Sequence, residues 1–359
     1  MSCKNLQIKL DSKNLLTFSL LITMTLTMSH YIDKLFVYLL FFVVFMGFLI
    51  KSKGRYVKNK IDFYNFIFIF SMLIVTVYAS SIISGVYLLF ITCLMYIFHQ
   101  RVAIKESYIF SYLIMLIVFC GYPLFNIDDR LMGLVGNVNS NALVCFFAIF
   151  LALMTFDLTQ KKIYLVLATF FYFLIFLTVS RSMIIISSLY LIMYFSRIDV
   201  GKMRVILILL MSTFAFYIYI NNSFIFPSDL TVSGRSLNSG SREGIYNYAF
   251  NMFLDGIVTG VGESGKEFIH FGVGSSHSTL LRMLIEGGVL LAIAYILLIF
   301  SCSVGAKTRN QRIFIVLSYV YLLGVNSIPY GLSLVSSFWL FAYYINILPK
   351  KTRIPIKNL

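Results

Sequence analysis

Charge is what this sequence has least of. Only 12% of its residues are Asp, Glu, Lys or Arg, against 60% hydrophobic, a balance far outside that of soluble domains. Its five cysteines (Cys3, Cys93, Cys120, Cys145, Cys302) show no paired spacing, and none falls in the long polar interval described below. That argues against a disulfide framework and against a cysteine-held metal. No glycine loop follows a strand, and no basic, inward-facing segment is long enough for an ATPase, so the energy for any reaction must come from the substrate or an ion gradient. The in-and-out alternation of an outer-membrane barrel is missing, as is any helical repeat. The first apolar run lacks a small-residue cleavage site and is followed at once by others, so its helix is expected to stay in place.

What remains is apolar runs in series, each near the roughly 20 helical residues that cross a hydrocarbon core of about 30 Å. They predict an all-α integral membrane protein of about 12 transmembrane helices, a single polytopic domain over 1–359. The spans fall near 15–29, 35–50, 61–79, 82–98, 108–125, 139–156, 163–179, 182–196, 205–220, 279–303, 312–326 and 331–347. With the N-terminus in the cytoplasm, 22 of the 29 Lys and Arg residues fall on the cytoplasmic side, which supports twelve spans with both ends inside. The net charge of +15 therefore reads as topology and not as a nucleic-acid footprint. Most of the 36 Phe and 24 Tyr residues read as lipid-facing bulk and interface anchors.

Seven basic residues are left outside: Lys34, Arg130, Arg181, Arg235, Arg242, Lys266 and Arg282. Four of them lie in or just after the one long polar interval, residues 221–278, which is expected to be a large external loop between spans 9 and 10. Within it, apolar residues at 245, 246, 249, 250, 253 and 254 have the period of an amphipathic helix lying along the membrane surface, with Ser241 as N-cap and Asp255-Gly256 as the stop. Arg242 then sits in the first turn, where the macrodipole disfavours a cation unless an anion binds there. Glycines 256, 260, 262, 265, 272 and 274 supply tight turns and close backbone approach without by themselves marking a phosphate site. His277 lies at the start of the tenth span, whose positive end disfavours imidazolium and leaves a ring able to take a proton. Glu286, deeper in that helix, is either a functional intramembrane acid or a structural partner of Arg282 one turn earlier. Arg181, in Thr178-Val-Ser-Arg-Ser182 between two helices with almost no loop, either snorkels to headgroups or caps a helix, or clamps an anion.

Ser180-Arg181, Ser241-Arg242 with Tyr246, Gly260-Val-Gly262, His277, and Glu286-Gly-Gly288, with the weaker Gly136-Asn-Val-Asn-Ser-Asn141, resemble the bacterial O-antigen ligase and O-antigen polymerase superfamily. The resemblance covers roughly residues 130–300 by motif and the whole chain by topology. It departs at Tyr246, where tryptophan is common, and at Ser278, where asparagine is usual.

The resemblance implies glycosyl transfer on the outer, periplasmic face of the cytoplasmic (inner) membrane, from a glycan on undecaprenyl pyrophosphate, with no cofactor and no metal. It casts Arg181 and Arg242 as a pyrophosphate clamp and His277 as the base for the acceptor hydroxyl. Arg282, Glu286, Tyr246, Asn141 and Arg235 become substrate-binding candidates. The expected partners are the lipid-linked oligosaccharide, membrane lipid and a chain-length regulator protein, with no nucleic acid. A repeat-unit polymerase is the leading expectation, a ligase to lipid A core the second. A flippase or other transporter is the rival from another class, which would call for internal repeats and mid-membrane charge.

Overall fold

The computed structural model describes residues 3–27, 29, 31–52, 62–79, 89, 92–97, 103–125, 129–198, 200–221, 231–232, 235–236, 240–261, 278–324 and 338–348. Helix dominates: α1 (Cys3–Leu26), α2 (Lys34–Ser52), α3 (Asp62–Ala79), α4 (Glu106–Gly121), α5 (Val138–Thr159), α6 (Ile163–Leu177), α7 (Arg181–Phe195), α8 (Lys202–Asn221), α9 (Gly240–Asp255), α10 (Thr279–Gly305), α11 (Arg309–Gly324) and α12 (Phe338–Tyr344). Two of these, α5 and α10, are long and apolar enough to cross a membrane, and α2, α4, α6, α7 and α8 contain shorter apolar stretches. Most of the span expected near 82–98 lies outside the described residues.

Several boundaries differ from the hydropathy reading for physical reasons. α1 starts at Cys3, twelve residues before the expected 15, because Lys4, Lys9 and Lys13 end an apolar run without ending a helix. Its 24 residues reach about 36 Å, against about 22 Å for the apolar run 15–29 alone. α4 stops at Gly121 and not near 125, since Pro123 pushes Tyr122 into an extended conformation (φ −55°, ψ 129°). The last expected span ends early as well. After α12 the chain forms β4 (Asn346–Leu348), parallel to β1 (Ala103–Lys105), and Ile347 is buried opposite the buried Ile104. A second, antiparallel pair joins β2 (Thr231–Val232) to β3 (Arg235–Ser236) inside the polar interval. Two such short pairs are the only departures from helix among the described elements.

The contacts group the chain into two units. The first comprises 1–57, 97–180 and 344–359. Its centre is α5, buried continuously from Asn141 to Thr155 and packed on α4 and α6, as an all-round apolar helix requires. α1 packs on α2 and α4, where Thr25 Oγ1 lies 2.6 Å from Tyr112 Oη. Glu106, buried at the start of α4, accepts from Lys161 Nζ at 2.5 Å and from Tyr164 Oη at 3.0 Å.

The second unit comprises 58–96 and 181–343, and α10 is its axis. α3, α8, α9 and α11 all pack on it. α7 packs on α11, whose start is fixed by a reciprocal capping box: Gln311 N–H donates to Thr308 Oγ1 at 3.1 Å and Thr308 N–H to Gln311 Oε1 at 3.0 Å. Arg309 and Arg312 donate to the carbonyls of Tyr194 and Val200, so these two basic residues fasten the end of α7 as well as adding positive charge.

Candidate functional site

α6 ends at Leu177 and α7 begins at Arg181, so three residues turn the chain. Thr178 Oγ1 donates to the carbonyl of Ile175 at 2.7 Å and accepts the Ser180 N–H at 3.3 Å. Val179 sits in the left-handed region at φ +51°, an outlier for a β-branched residue that costs about 1–2 kcal/mol. Neighbours hold it there: Leu131 N–H donates to the Leu177 carbonyl at 3.0 Å, and Ser180 Oγ donates to Asn139 Oδ1 at 3.1 Å.

The turn delivers Arg181 as the first residue of α7, at the helix's positive end. Its Nη1 is buried and has no hydrogen-bond partner among the described residues. A cation at that end is disfavoured by the macrodipole, and a buried charged donor without an acceptor is costlier still. Both penalties vanish if an anion is bound.

The second cluster is built on a break in α10. Gly288 interrupts the helix at φ 63°, ψ −163°, which frees backbone groups on either side. The turn after α9 satisfies them: Val261 N–H donates to the Ile285 carbonyl at 2.7 Å, and Val289 N–H donates to the Ile257 carbonyl at 2.8 Å. Two glycines permit this backbone-to-backbone approach. A Cβ on Gly260 (φ +75°) would stand 2.5 Å from the Glu286 carbonyl carbon, and one on Gly288 would stand 2.3 Å from the Val258 oxygen. At Gly260, the glycine-x-glycine segment is therefore a docking surface for another backbone.

Arg282 and Glu286 are brought together on α10, Nε to Oε1 at 2.8 Å, with Arg282 buried. That is the structural pairing of the two alternatives open for Glu286. Ser278, which stands where asparagine is usual, caps α10 by accepting the Leu281 N–H at 3.3 Å. His277 is the residue immediately before this cap and lies outside the described residues.

α9 begins at Gly240, so Ser241 is its second residue and not its cap, while Arg242 remains in the first turn. The side chains of Arg242 and of Arg235, on β3, lie outside the described set. α9 turns Ile245, Tyr246 and Ala249 inward, and the Tyr246 ring packs edge-on against Phe216 of α8 at 5.9 Å. Asn141 is fully buried, its amide donating to the carbonyls of Cys120 at 3.1 Å and Leu131 at 3.4 Å. It fastens the end of α4 rather than lining a surface.

Residues 163–296 match the O-antigen ligase family. The match covers 134 of the 359 residues and makes this stretch similar to O-antigen ligases. The O-antigen ligase stretch runs from α6 through the break in α10 and holds every candidate site residue except Asn141. The match and these apolar helices together point to a membrane location. No curated protein and no solved structure matches the chain.

Three features escaped the sequence reading. Nothing in a sequence marks a valine for left-handed backbone, and the Asn139–Ser180 bond spans 41 residues. The Gly287-Gly288 dipeptide was the available signal for the helix break.

Proposed function

We propose that this protein is a repeat-unit polymerase of O-antigen or capsular polysaccharide, transferring a glycan from undecaprenyl pyrophosphate to the acceptor sugar of another lipid-linked repeat. The observation that carries the reading is the buried Nη1 of Arg181 at the head of α7, without a partner among the described residues and inside the stretch similar to O-antigen ligases. Planar guanidinium forks suit paired phosphate oxygens, and Arg242, at the head of α9, is the second member of the clamp.

In this mechanism the acceptor hydroxyl oxygen attacks the anomeric carbon as the bond from that carbon to the pyrophosphate oxygen breaks. The hydroxyl proton passes to His277, and undecaprenyl pyrophosphate leaves with its charge held by the arginines. One displacement inverts the anomeric centre, and no second carboxyl of the hydrolase kind is needed. Each well-placed donor contributes about 3 kcal/mol to the transition state, and the base roughly 10²- to 10⁴-fold. In this reading Arg235 borders the acceptor or the glycan, while the Arg282–Glu286 pair and the buried Tyr246 hold α10 and α9 in place around the site. The twelve-span arrangement, with both termini in the cytoplasm and the site on the periplasmic face of the inner membrane, belongs to the same proposal, as does a chain-length regulator as partner.

The family's description as ligase favours one second reading, with lipid A core as acceptor. Gene deletion followed by gel analysis of surface glycan separates the two. A core carrying a single repeat is the expected result. A bare core with accumulated lipid-linked polymer would identify a ligase, and cytoplasm-facing single repeats would overturn both in favour of a flippase.

A further inference from the structure

The turn that fills the break in α10 carries an apolar surface that the bundle does not use. Leu254, Ile257, Val258 and Val261 are 50%, 49%, 68% and 40% exposed, although they lie in the polar interval. Their height is fixed, because the backbone of Ile257 and Val261 is bonded to Val289 and Ile285 of α10. The first charge after α10 is Lys307, and the twenty residues before it, 287–306, carry none. That is about the length needed to cover a hydrocarbon core of roughly 30 Å, so the break stands at the boundary between acyl chains and headgroups. The charges of Arg282 and Glu286 fall just outside that boundary. From Leu290 inward, the exposed residues of the same helix, Leu290, Ile293 and Leu297, form one apolar stripe at helical spacing.

We propose that the segment 254–261 is a lipid anchor whose four apolar side chains insert among the phospholipid acyl chains at the boundary level of this leaflet, and so hold α9 at headgroup height. The occupant is the acyl chain and not a soluble partner, because the anchored backbone sits where the lipid-facing stripe of a membrane-crossing helix begins. Two features set the level together: the docking bonds at 285 and 289 fix the turn to the helix, and the uncharged length from 287 to 306 fixes the helix against the bilayer. Gly260 and Gly288 set that level, since a side chain at either would push the turn off the helix. The inference does not depend on which glycan is transferred or on transfer at all.

The test uses fluorescence of the full chain in phosphatidylethanolamine and phosphatidylglycerol bilayers. The sequence has a single tryptophan, so Val258→Trp in a Trp339→Phe background reports one site. If that background fails to fold, Val258→Trp with Trp339 kept, read as the difference from the parent, serves as well, because Trp339 is buried. Emission should fall at least twofold when the lipids are brominated on their acyl chains, with little quenching by aqueous iodide. Adding Gly260→Val should reverse the two sensitivities. Strong iodide quenching in the protein with Gly260 intact would overturn the proposal in favour of a water-facing surface. Insensitivity to both quenchers would overturn it in favour of a protein-covered one.

Discussion

A guanidinium nitrogen buried without an acceptor, as that of Arg181 is among the described residues, weakens the folded state by about 1–3 kcal/mol, and more when it carries charge. Arg181 should therefore combine two effects that usually oppose each other. Arg181→Met is expected to leave thermal stability in detergent unchanged or raised while cutting chain extension by about 10²-fold, read as turnover of purified enzyme on lipid-linked repeats. Lost stability with retained turnover would mean that the arginine is structural. Glu106 and Lys161 give an asymmetric pair. The Lys161 side chain is 52% exposed and can turn to water, whereas Glu106 is buried. Lys161→Ala should thus cost more, about 2 kcal/mol, than Glu106→Gln at under about 1, in urea melts of the solubilised protein.

Elements were legible where hydrophobic length alone decides them, as in α5, α6, α7 and α10, all placed within three residues at each end. They were illegible where charge interrupts a helix without ending it, as in α1, or where apolar residues are buried by a strand, as at Ile347. The break in α10 shows the same limit. A hydropathy window sees one uninterrupted span across Gly288, while the backbone reverses its preference there for the sake of a turn thirty residues upstream. Gly288→Ala should not restore a straight helix, because its Cβ would meet the Val258 carbonyl. The expected cost is about 2–3 kcal/mol, with faster amide exchange confined to 255–261 and 285–289. Unchanged exchange at Val261 and Val289 would show that the turn docks by other means. Of the candidate site, the place of Arg181 at a helix end was readable from Thr178-Val-Ser-Arg-Ser182. The strain at Val179 and the fastening role of Asn141 were not, since both arise from contacts far apart in sequence.

For the whole molecule, the distribution of Lys and Arg is the main argument for twelve spans, and it is directly testable. Single cysteines at Lys162 and Arg130, in a chain whose other cysteines are replaced, should react with an impermeant maleimide from opposite sides of intact cells. Lys162→Cys should label only after the cytoplasmic face is opened, and Arg130→Cys without it; labelling on the same side would remove the arrangement. The pairing of β1 with β4 carries a different consequence, one of timing. Ala103 and Asn346 stand opposite each other in this pair, about 240 residues apart in the chain. At a synthesis rate of about 5–20 residues per second, β1 waits roughly 12–50 s for its partner to be made. During that interval Ile104 has no strand to cover it. An edge made early is thus among the last to be finished, and a ribosome stalled short of residue 346 would leave it open in the cell.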